Sequence, residues 1–229
     1  RRQRQMCIRD RYGTIEAPQE PDMQPNECPI TSALTRTELL AVTEVCDGGT
    51  FLRFQNATPE DSRSPEMNGS VELPEGAYLV GISQDAAAIY DPQSSEVRSY
   101  NKDGKELKVS EVPELPEPEQ LDDATRILPV HDLPHHMTYH VGDYLLLLDP
   151  AELNVTGVFQ GAKGTGFAAD DRLLYASDSG VAVINWDKNS VEKIIPVDRG
   201  DYNGPISIDS AGATVVEKRG DEIVALSAE

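Results

Sequence analysis

The sequence predicts an all-β protein, and three observations lead to that fold class. From Thr31 onward, short runs of Val, Ile, Leu, Tyr and Phe alternate with turn residues. No window keeps a helical period; residues 32–42 are the one helix candidate, and their second half favours a strand. No apolar run approaches the length of a membrane span, since the longest lie near Tyr144–Leu148 and Val181–Trp186.

The first eleven residues differ in charge from everything that follows them. Arg1–Arg11 holds five arginines and one aspartate, and the basic character stops at Tyr12. The run resembles the translated adaptor used to prepare sequencing libraries, so residues 1–11 are predicted to be non-native; a natural basic arm is the alternative. The native N-terminus, with any signal peptide or lipid anchor, is then expected to be missing.

A large negative charge limits the partners of the remaining chain. The full chain has 20 basic and 40 acidic residues; without the five arginines and one aspartate of the first segment, 15 and 39 remain, a net charge of −24. Such a charge repels phosphate backbones and anionic lipids. Nucleic acid is therefore not expected as a partner, and membrane contact is expected only through the missing anchor. A cation or a basic protein is consistent with the charge.

Two cysteines lie outside the adaptor-like segment. Cys28 and Cys46 are 18 residues apart, without a CxxC motif or a nearby histidine. This spacing favours a disulfide over a metal site, with two free thiols as the alternative. A disulfide would indicate an oxidising compartment, and we expect it to contribute about 2–4 kcal/mol to the free energy of unfolding.

The remaining elements follow in chain order. Residues 12–30 are rich in Pro, Glu and Gln and are predicted to form a flexible linker before a domain at 31–229. Asp103-Gly104 is a strong hairpin signal, whereas the Pro-Glu loop at 112–124 excludes a central strand. The predicted strands are Glu38–Val45, Thr50–Gln55, Ala77–Ser83, Ala86–Tyr90, Arg98–Asn101, Glu106–Val109, Arg126–Pro129, Met137–His140, Tyr144–Asp149, Asn154–Phe159, Gly166–Ala169, Leu173–Ala176, Val181–Asn185, Val191–Val197, Ile206–Ile208, Thr214–Glu217 and Glu222–Leu226.

A repeated unit predicts how these strands are arranged. An apolar strand, a turn centred on Asp or Asn and a β-branched return strand recur from Ala86, Tyr144 and Val181, and a fourth copy starts at Glu222. The copies are roughly 35–60 residues apart, a spacing centred near the length of a propeller blade. We therefore predict a β-propeller of four-stranded antiparallel blades, with four or five blades visible. A β-sandwich is the alternative, but it does not explain the repeat.

The repeated turns resemble those of a known group of propellers. Units that end in Asp91-Pro92, Asp149-Pro150 and Asp187-Lys188 resemble blades of quinoprotein-like or YVTN-type propellers. The stretch 204–226 is similar to the closing blade of uncharacterised actinobacterial envelope proteins, in which a membrane anchor or lipobox precedes the propeller. The resemblance covers residues 31–229 and implies a secreted or surface-exposed protein of unassigned function.

All four histidines lie within ten residues, and this segment is the strongest functional signal. His131, Asp132, His135, His136 and His140 offer imidazole and carboxylate ligands of the kind that bind Zn²⁺ or Cu²⁺. If the segment after His135 is extended, His136 and His140 share a face, and three imidazoles with Asp132 would make a four-ligand site. The alternative is a polar loop that enters a strand, with histidines hydrogen-bonded to neighbours or to water.

Three hypotheses for function follow, and none assigns a catalytic residue. The first is a non-enzymatic, extracytoplasmic binding or scaffolding propeller, whose protein or small-molecule ligand sits on one face, contacted by inter-blade loops. The second is metal handling by the histidine segment, with no cofactor expected beyond zinc or copper. The third is a quinoprotein-like enzyme, which the single tryptophan, Trp186, argues against. Gly161–Gly166 resembles a phosphate-binding loop, but a strand follows it, so it is predicted to be an inter-blade turn.

Overall fold

The computed structural model describes residues 28–60, 66–118, 128–134, 136–185 and 188–227. All regular structure in these residues is β-strand. In this part of the chain no helix is long and apolar enough to cross a membrane. The adaptor-like segment, most of the predicted linker and the second half of the Pro-Glu loop lie outside the described residues, as do His135 and Trp186.

The strands of the described residues form five antiparallel sheets in chain order, and each sheet is one blade of a β-propeller. Blade 1 contains β1 (Ile30–Thr35), β2 (Leu39–Cys46), β3 (Gly49–Asn56) and β4 (Met67–Leu73); blade 2 contains β5 (Tyr78–Ile82), β6 (Ala86–Asp91), β7 (Glu96–Asn101) and β8 (Glu106–Glu111). Blade 3 contains β9 (Val130–Asp132), β10 (Met137–Val141), β11 (Tyr144–Leu148) and β12 (Val155–Gln160); blade 4 contains β13 (Phe167–Ala169), β14 (Arg172–Ser177), β15 (Gly180–Asn185) and β16 (Ser190–Pro196). Blade 5 contains β17 (Ile206–Ala211), β18 (Thr214–Arg219) and β19 (Glu222–Leu226). The prediction of an all-β propeller with four or five visible blades is confirmed.

The pattern of burial shows that the blades stack face to face. One apolar core joins blades 1, 2 and 3, a second joins blades 3 and 4, and a third joins blades 4 and 5. The inner strand β5 contacts β1, β2 and β10, whereas the outer strands β8 and β16 are largely exposed. Because a single sheet cannot cover its own two faces, strands between two blades are apolar on both sides. Thus β5 and β6 are buried at every residue.

Three strands differ from the expectation, each for a physical reason. The helix candidate at 32–42 is wrong, because β1 pairs with β2 across this segment. The sequence does not predict β4, because only alternate residues of this outer strand are covered. Of the strand predicted at Arg126–Pro129, residues 128 and 129 are described and precede the strand that is found, β9; β10 offers β9 a pairing partner, so His131 and Asp132 lie in a strand.

Each copy of the sequence repeat corresponds to a hairpin, and the copies do not all begin at the same strand of a blade. The first copy, Ala86–Asp91, is the second strand of blade 2, whereas the copies at β11, β15 and β19 are third strands. Second and third strands of inner blades are similarly buried, so their apolar patterns look alike in sequence. The copy in blade 2 therefore begins one strand earlier in its blade than the other copies do, although the number of blades is as predicted.

The outer strand of each blade leads into the inner strand of the next through a crossover. The crossover 161–166 joins β12 to β13, which confirms the predicted inter-blade turn. It lies against the turns between second and third strands: Ala162 N–H donates to the Asp143 carbonyl at 2.9 Å, and Asp178 N–H donates to the Gly161 carbonyl at 3.0 Å. We call the surface formed by the crossovers and these turns the crossover face.

The described part of the Pro-Glu loop, residues 112–118, follows the last strand of blade 2 and lies on this face, where Val112 N–H donates to the Ser95 carbonyl at 3.1 Å. It contains no strand, as predicted. Leu115 in this part is buried and donates its backbone N–H to Tyr90 Oη at 3.0 Å. The loop is therefore anchored to blade 2 at its start.

Candidate functional site

A polar cleft lies on the crossover face where blades 4 and 5 meet. Its volume is about 250 Å³. The crossover from β16 to β17 forms one wall, and the crossover 161–166 with the β14–β15 turn forms the other. Its polar lining consists of Lys163, Asp178, Asp198, Arg199, Tyr202 and Asn203.

Arg199 holds the first wall of the cleft, the crossover from β16 to β17, in place. Its guanidinium donates to the carbonyl oxygens of Ser177 at 2.5 Å and Gly180 at 2.9 Å. It also donates to Glu217 Oε1 at 2.6 Å, and Arg219 contacts Glu217 Oε2 at 2.8 Å. The Glu217 side chain is fully buried, and that of Arg199 is 7% exposed. This ion triad ties the crossover to both blades.

Two opposing effects act on the pKa of Glu217. Burial raises the pKa, because a charged carboxylate loses its water. Hydrogen bonds and charges from Arg199 and Arg219 outweigh burial, so the pKa of Glu217 lies below its ordinary value. The carboxylate is therefore ionised at neutral pH, as the two guanidinium groups require.

Lys163 holds the second wall, which the crossover 161–166 and the β14–β15 turn form. Its Nζ lies 2.7 Å from Asp178 Oδ1 and 3.0 Å from Asn203 Oδ1, so it spans the cleft from one wall to the other. Its backbone carbonyl accepts a hydrogen bond from Ile206 N–H at 2.9 Å. Gly164 permits this close approach, because a Cβ there would lie 2.3 Å from the Ile206 carbonyl oxygen.

The groups left at the mouth of the cleft are hydrogen-bonding groups. The Asp178 side chain is 61% exposed, and Asp198 and Asn203 are exposed as well. The Tyr202 ring is half-buried, with its hydroxyl donating to the Pro205 carbonyl at 2.8 Å. Fixed walls with exposed carboxylates, an amide and an aromatic ring can bind a polar ligand without rearrangement.

The predicted metal ligands His131 and His140 connect blade 3 to blade 4. His131 Nδ1 lies 2.8 Å from the Gly166 carbonyl oxygen, and His140 Nε2 lies 3.1 Å from the Ala162 carbonyl oxygen. Because a carbonyl accepts, each of these ring nitrogens carries a hydrogen and donates it. Both histidines therefore hold the crossover 161–166 in place. Burial lowers the pKa of His140, which favours the neutral ring.

Two other predicted metal ligands, Asp132 and His136, have different partners from those of His131 and His140. Asp132 forms an ion pair with Arg36 of blade 1, and Arg36 also donates to the Ile82 carbonyl of blade 2 at 3.1 Å. His136 precedes β10, and its carbonyl accepts from Leu133 N–H at 2.9 Å. Asp132 thus helps to hold three blades together.

The described histidines do not come together as a metal-sized cluster. Within the described residues, one group of three possible metal ligands has its ligand atoms within 4.8 Å of one another. It consists of Cys28, Glu44 and Cys46. Since His135 lies outside the described residues, the zinc or copper site stays a prediction.

The two cysteines form the predicted disulfide, Cys28–Cys46. The bond joins the residues before β1 to the end of β2, and Val45 N–H donates to the Pro29 carbonyl at 2.9 Å beside it. Glu44 is fully buried near the bond and forms an ion pair with Arg53. The alternative of two free thiols is therefore not what the structure contains.

Sequence reasoning missed the residues of the cleft. Their signal is the register of β18: Glu217 lies opposite Ile208 and Arg219 lies opposite Ile206, and both isoleucines are buried. Charged residues opposite buried isoleucines need a charged partner, and Arg199 supplies it from the crossover. Strand register was required to see this, and the residue types alone do not provide it.

Comparison with known proteins assigns the chain to no family. No family model matches the chain, and no curated protein matches it. Among solved structures, Kluyveromyces lactis Hsv2 with loop 6CD replaced by a Gly-Ser linker is 13% identical, with TM-score 0.46, over 85% of this chain and 60% of that one. A functionally unknown protein from Desulfotomaculum acetoxidans is 12% identical, with TM-score 0.47, over 86% and 64%.

A third structure is PorZ of Porphyromonas gingivalis, described as an essential bacterial surface component of the type-IX secretion system. It is 13% identical, with TM-score 0.45, over 86% of this chain and 27% of that one. The chain spans less than two thirds of each of these three structures. The propeller assignment therefore rests on the sheet topology of the chain itself.

Proposed function

We propose that the chain is a non-enzymatic binding propeller that acts outside the cytoplasm and holds its ligand in the cleft between blades 4 and 5. The observation that carries this proposal is a preformed polar cleft on the crossover face. Arg199 and Lys163 are held by ion pairs and backbone hydrogen bonds, so they shape the site. Asp178, Asp198 and Asn203 stay exposed and are available for a ligand.

The disulfide supports a location outside the cytoplasm. Stable disulfides form in oxidising compartments and are rare in the reducing cytoplasm. The Cys28–Cys46 bond closes the β1–β2 hairpin at the end away from its turn. The finer resemblance to quinoprotein-like envelope propellers is consistent with such a location and belongs to this proposal.

The test is capture of the ligand by wild-type protein and by a cleft variant. The immobilised chain is exposed to secreted and envelope material, and bound molecules are identified by mass spectrometry. Tyr202→Ala with Asn203→Ala removes two ligand-facing groups and keeps the ion triad. Lys102→Ala, which removes an exposed pair with Asp85 in blade 2, is the matched control. We expect a ligand that the wild type and the control retain and the cleft variant loses; equal capture by all three would contradict the proposal.

Zinc or copper handling stays a separate proposal with its own test. His131→Asn keeps a donor at the place of Nδ1, and His140→Gln keeps a donor at the place of Nε2, so both crossover hydrogen bonds are preserved. If the histidines bind metal, equilibrium dialysis with Zn²⁺ or Cu²⁺ gives near-stoichiometric metal that the double variant loses. If they serve the crossover alone, neither protein retains specific metal.

The quinoprotein-like enzyme is the remaining alternative. Reconstitution with the quinone cofactor would then give dye-linked turnover, and we expect none. Turnover under these conditions would replace the binding proposal.

A further inference from the structure

A buried carboxylate lies beside the disulfide of blade 1. Glu44 and Cys46 are two residues apart in β2, so their side chains share one face of the sheet. Glu44 Oε1 lies 3.7 Å from Cys46 Sγ, and the ligand atoms of Cys28, Glu44 and Cys46 all lie within 4.8 Å of one another. The Glu44 side chain is fully buried, whereas both cysteines are half-buried. We call these three side chains the sulfur–carboxylate cluster.

Backbone hydrogen bonds hold the cluster together independently of the bond between the sulfurs. Val45 N–H donates to the Pro29 carbonyl at 2.9 Å, so the residues next to the two cysteines are paired. The pairing of β1 with β2 continues from there, with Ile30 opposite Glu44. Because these contacts lie in the backbone, we expect the two sulfurs to stay beside the carboxylate when the disulfide is reduced.

The separation of the carboxylate from Cys46 suits two ligands of one zinc ion. Zinc bonds are about 2.3 Å long to a thiolate and about 2.0–2.2 Å long to a carboxylate oxygen, in tetrahedral geometry. A sulfur and an oxygen on the same ion are then about 3.6 Å apart. Cys46 Sγ and Glu44 Oε1, at 3.7 Å, already have this separation. Two sulfurs on one ion are about 3.8 Å apart, so the bond between them must open first.

Charge balance favours a divalent cation in the reduced cluster. Arg53 forms an ion pair with Glu44 and is 13% exposed, so it neutralises the carboxylate while the disulfide is closed. Two thiolates would add two negative charges to this buried pair, and burial opposes charge. One Zn²⁺ ion cancels both charges, so the cluster is neutral with the disulfide closed and neutral again with metal bound. Arg53 would also orient the carboxylate, as outer groups around a metal site do.

We propose that the reduced cluster is a zinc site, in which Cys28, Glu44 and Cys46 supply three ligands and water supplies the fourth. A dithiol reductant gives two electrons to the disulfide, the S–S bond breaks, and the reductant becomes a cyclic disulfide. Zn²⁺ binds the two thiolates, and the two protons of the dithiol pass to solvent. Asp47 and Gly48 beside Cys46 are exposed, so the ion enters from the sulfur side.

The cluster is independent of the other proposed sites. It lies in blade 1 and shares no residue with the cleft, so this inference does not depend on the proposed function. It also shares no residue with the histidine segment, which would bind metal whether or not the disulfide is closed. This difference in redox dependence separates the two metal proposals.

The test compares oxidised and reduced forms of the full-length protein. Every protein carries Cys7→Ser, which removes the third thiol of the chain. Reduction with dithiothreitol is followed by gel filtration without oxygen, and Zn²⁺ binding is measured by competition with a chromogenic chelator. We expect the reduced protein to bind one Zn²⁺ ion more than the oxidised protein, with release of about two protons per ion. Zinc held by the histidine segment is present in both forms and cancels in the difference.

Variants and X-ray absorption assign the ligands. Cys46→Ser removes one thiolate and is expected to abolish binding of the additional ion. Glu44→Gln with Arg53→Gln removes the carboxylate and leaves no buried guanidinium unpaired. We expect this double variant to bind zinc at least about 100-fold more weakly, since loss of outer groups alone costs about 10–100-fold. Glu38→Gln, exposed at the turn end of the β1–β2 hairpin, is the matched control and should bind as the wild type does.

Thermal unfolding of the oxidised double variant checks that it is folded. X-ray absorption of the reduced wild type, loaded with one equivalent of Zn²⁺, should show two sulfur ligands at about 2.3 Å.

Three outcomes would overturn the proposal. Equal zinc binding by the oxidised and reduced proteins would place all of the metal outside the cluster. Unchanged affinity in the folded double variant would exclude the Glu44 carboxylate as a ligand. An absorption spectrum with imidazole ligands in place of sulfur would assign the additional ion to the histidine segment.

Discussion

Blades 2 and 5 are built from the same antiparallel hairpins, yet their inner strands have different patterns of burial. In blade 2, β5 and β6 are buried at every residue, because blades 1 and 3 cover their two faces. In blade 5, Ile206 and Ile208 are buried, with Ile208 in the core shared with blade 4, whereas Ser207 and Asp209, which alternate with them along β17, are exposed. An inner strand with both faces covered is therefore hydrophobic at every residue, whereas an inner strand with one covered face alternates between hydrophobic and polar residues.

The two blades also differ in how they are attached. Blade 2 is held by a large apolar core that includes three blades. Blade 5 has a smaller apolar contact with blade 4 and, in addition, the ion triad of Arg199, Glu217 and Arg219. Attachment by charge demands accurate geometry and responds to pH, whereas attachment by apolar area does not. The following changes test this difference.

Removal of Glu217 is expected to have the largest effect. Glu217→Ala leaves the nearly buried Arg199 without its carboxylate, which costs about 3–5 kcal/mol of the free energy of unfolding. Urea unfolding measures this loss. Glu192→Ala removes a partner of Arg172 in a more exposed pair and serves as the control, with an expected loss of about 0–1 kcal/mol. Equal losses in the two variants would show that the triad does not hold blade 5.

Equivalent apolar deletions in the two blades give the next test. Ile89 of β6 and Ile208 of β17 are both buried, so each change to alanine removes the same atoms. We expect Ile89→Ala to cost about 4 kcal/mol and Ile208→Ala about 2 kcal/mol, because the smaller core between blades 4 and 5 can collapse into the cavity more readily than the core of three blades around Ile89. Urea unfolding compares the two losses, and a larger loss for Ile208→Ala would reverse the comparison.

Acid should loosen blade 5 through Glu217. The pKa of this group is below its ordinary value of 4.5 in the folded protein, so the unfolded chain binds the proton first as the pH falls. The stability from the triad is fully present above that ordinary value and is lost as the pH falls through the lowered pKa. Glu217→Gln should therefore show a shallower acid slope than the wild type when urea unfolding is repeated from neutral to acid pH. Identical slopes would exclude this carboxylate as the source.

The exposed face of blade 5 should tolerate change with the smallest effect. Asp209→Ala and Ser207→Ala lie on this face, and each is expected to change the free energy of unfolding by less than about 0.5 kcal/mol. The matched change in blade 2, Val80→Asp, buries a carboxylate in a fully covered strand and should prevent folding. Thermal unfolding separates the two results, and a large loss from Asp209→Ala would indicate that this face is covered.

The fold was more accessible from sequence than the cleft, and particular residues show why. Apolar strands such as β11 and β15 stand out in any window, because both of their faces are buried. The disulfide was also predictable, since only Cys28 and Cys46 lie beyond the adaptor-like segment. The cleft depends on Arg199, which meets Glu217 only after a crossover and a hairpin have brought them together.

The histidine segment, in contrast, is conspicuous in the sequence, but the structure gives its residues different partners. His131 and His140 lie on one face of neighbouring strands. Their hydrogen bonds nevertheless go to carbonyl oxygens of the crossover 161–166, which no spacing rule relates to them. Asp132 points to another blade and meets Arg36, whose position 96 residues earlier carries no hint of the contact.

The disulfide also determines how the domain would respond to mechanical load. Tension applied through residues before Cys28 passes across the bond to Cys46, at the end of β2, and bypasses β1. Without the bond, the same tension would act on Ile30 first and separate β1 from β2 one hydrogen bond at a time. With the bond, the hairpin of β1 and β2 forms a closed loop that bears no force, and the load falls on the β2–β3 pairing. The first blade is thus protected against being unzipped from its leading strand.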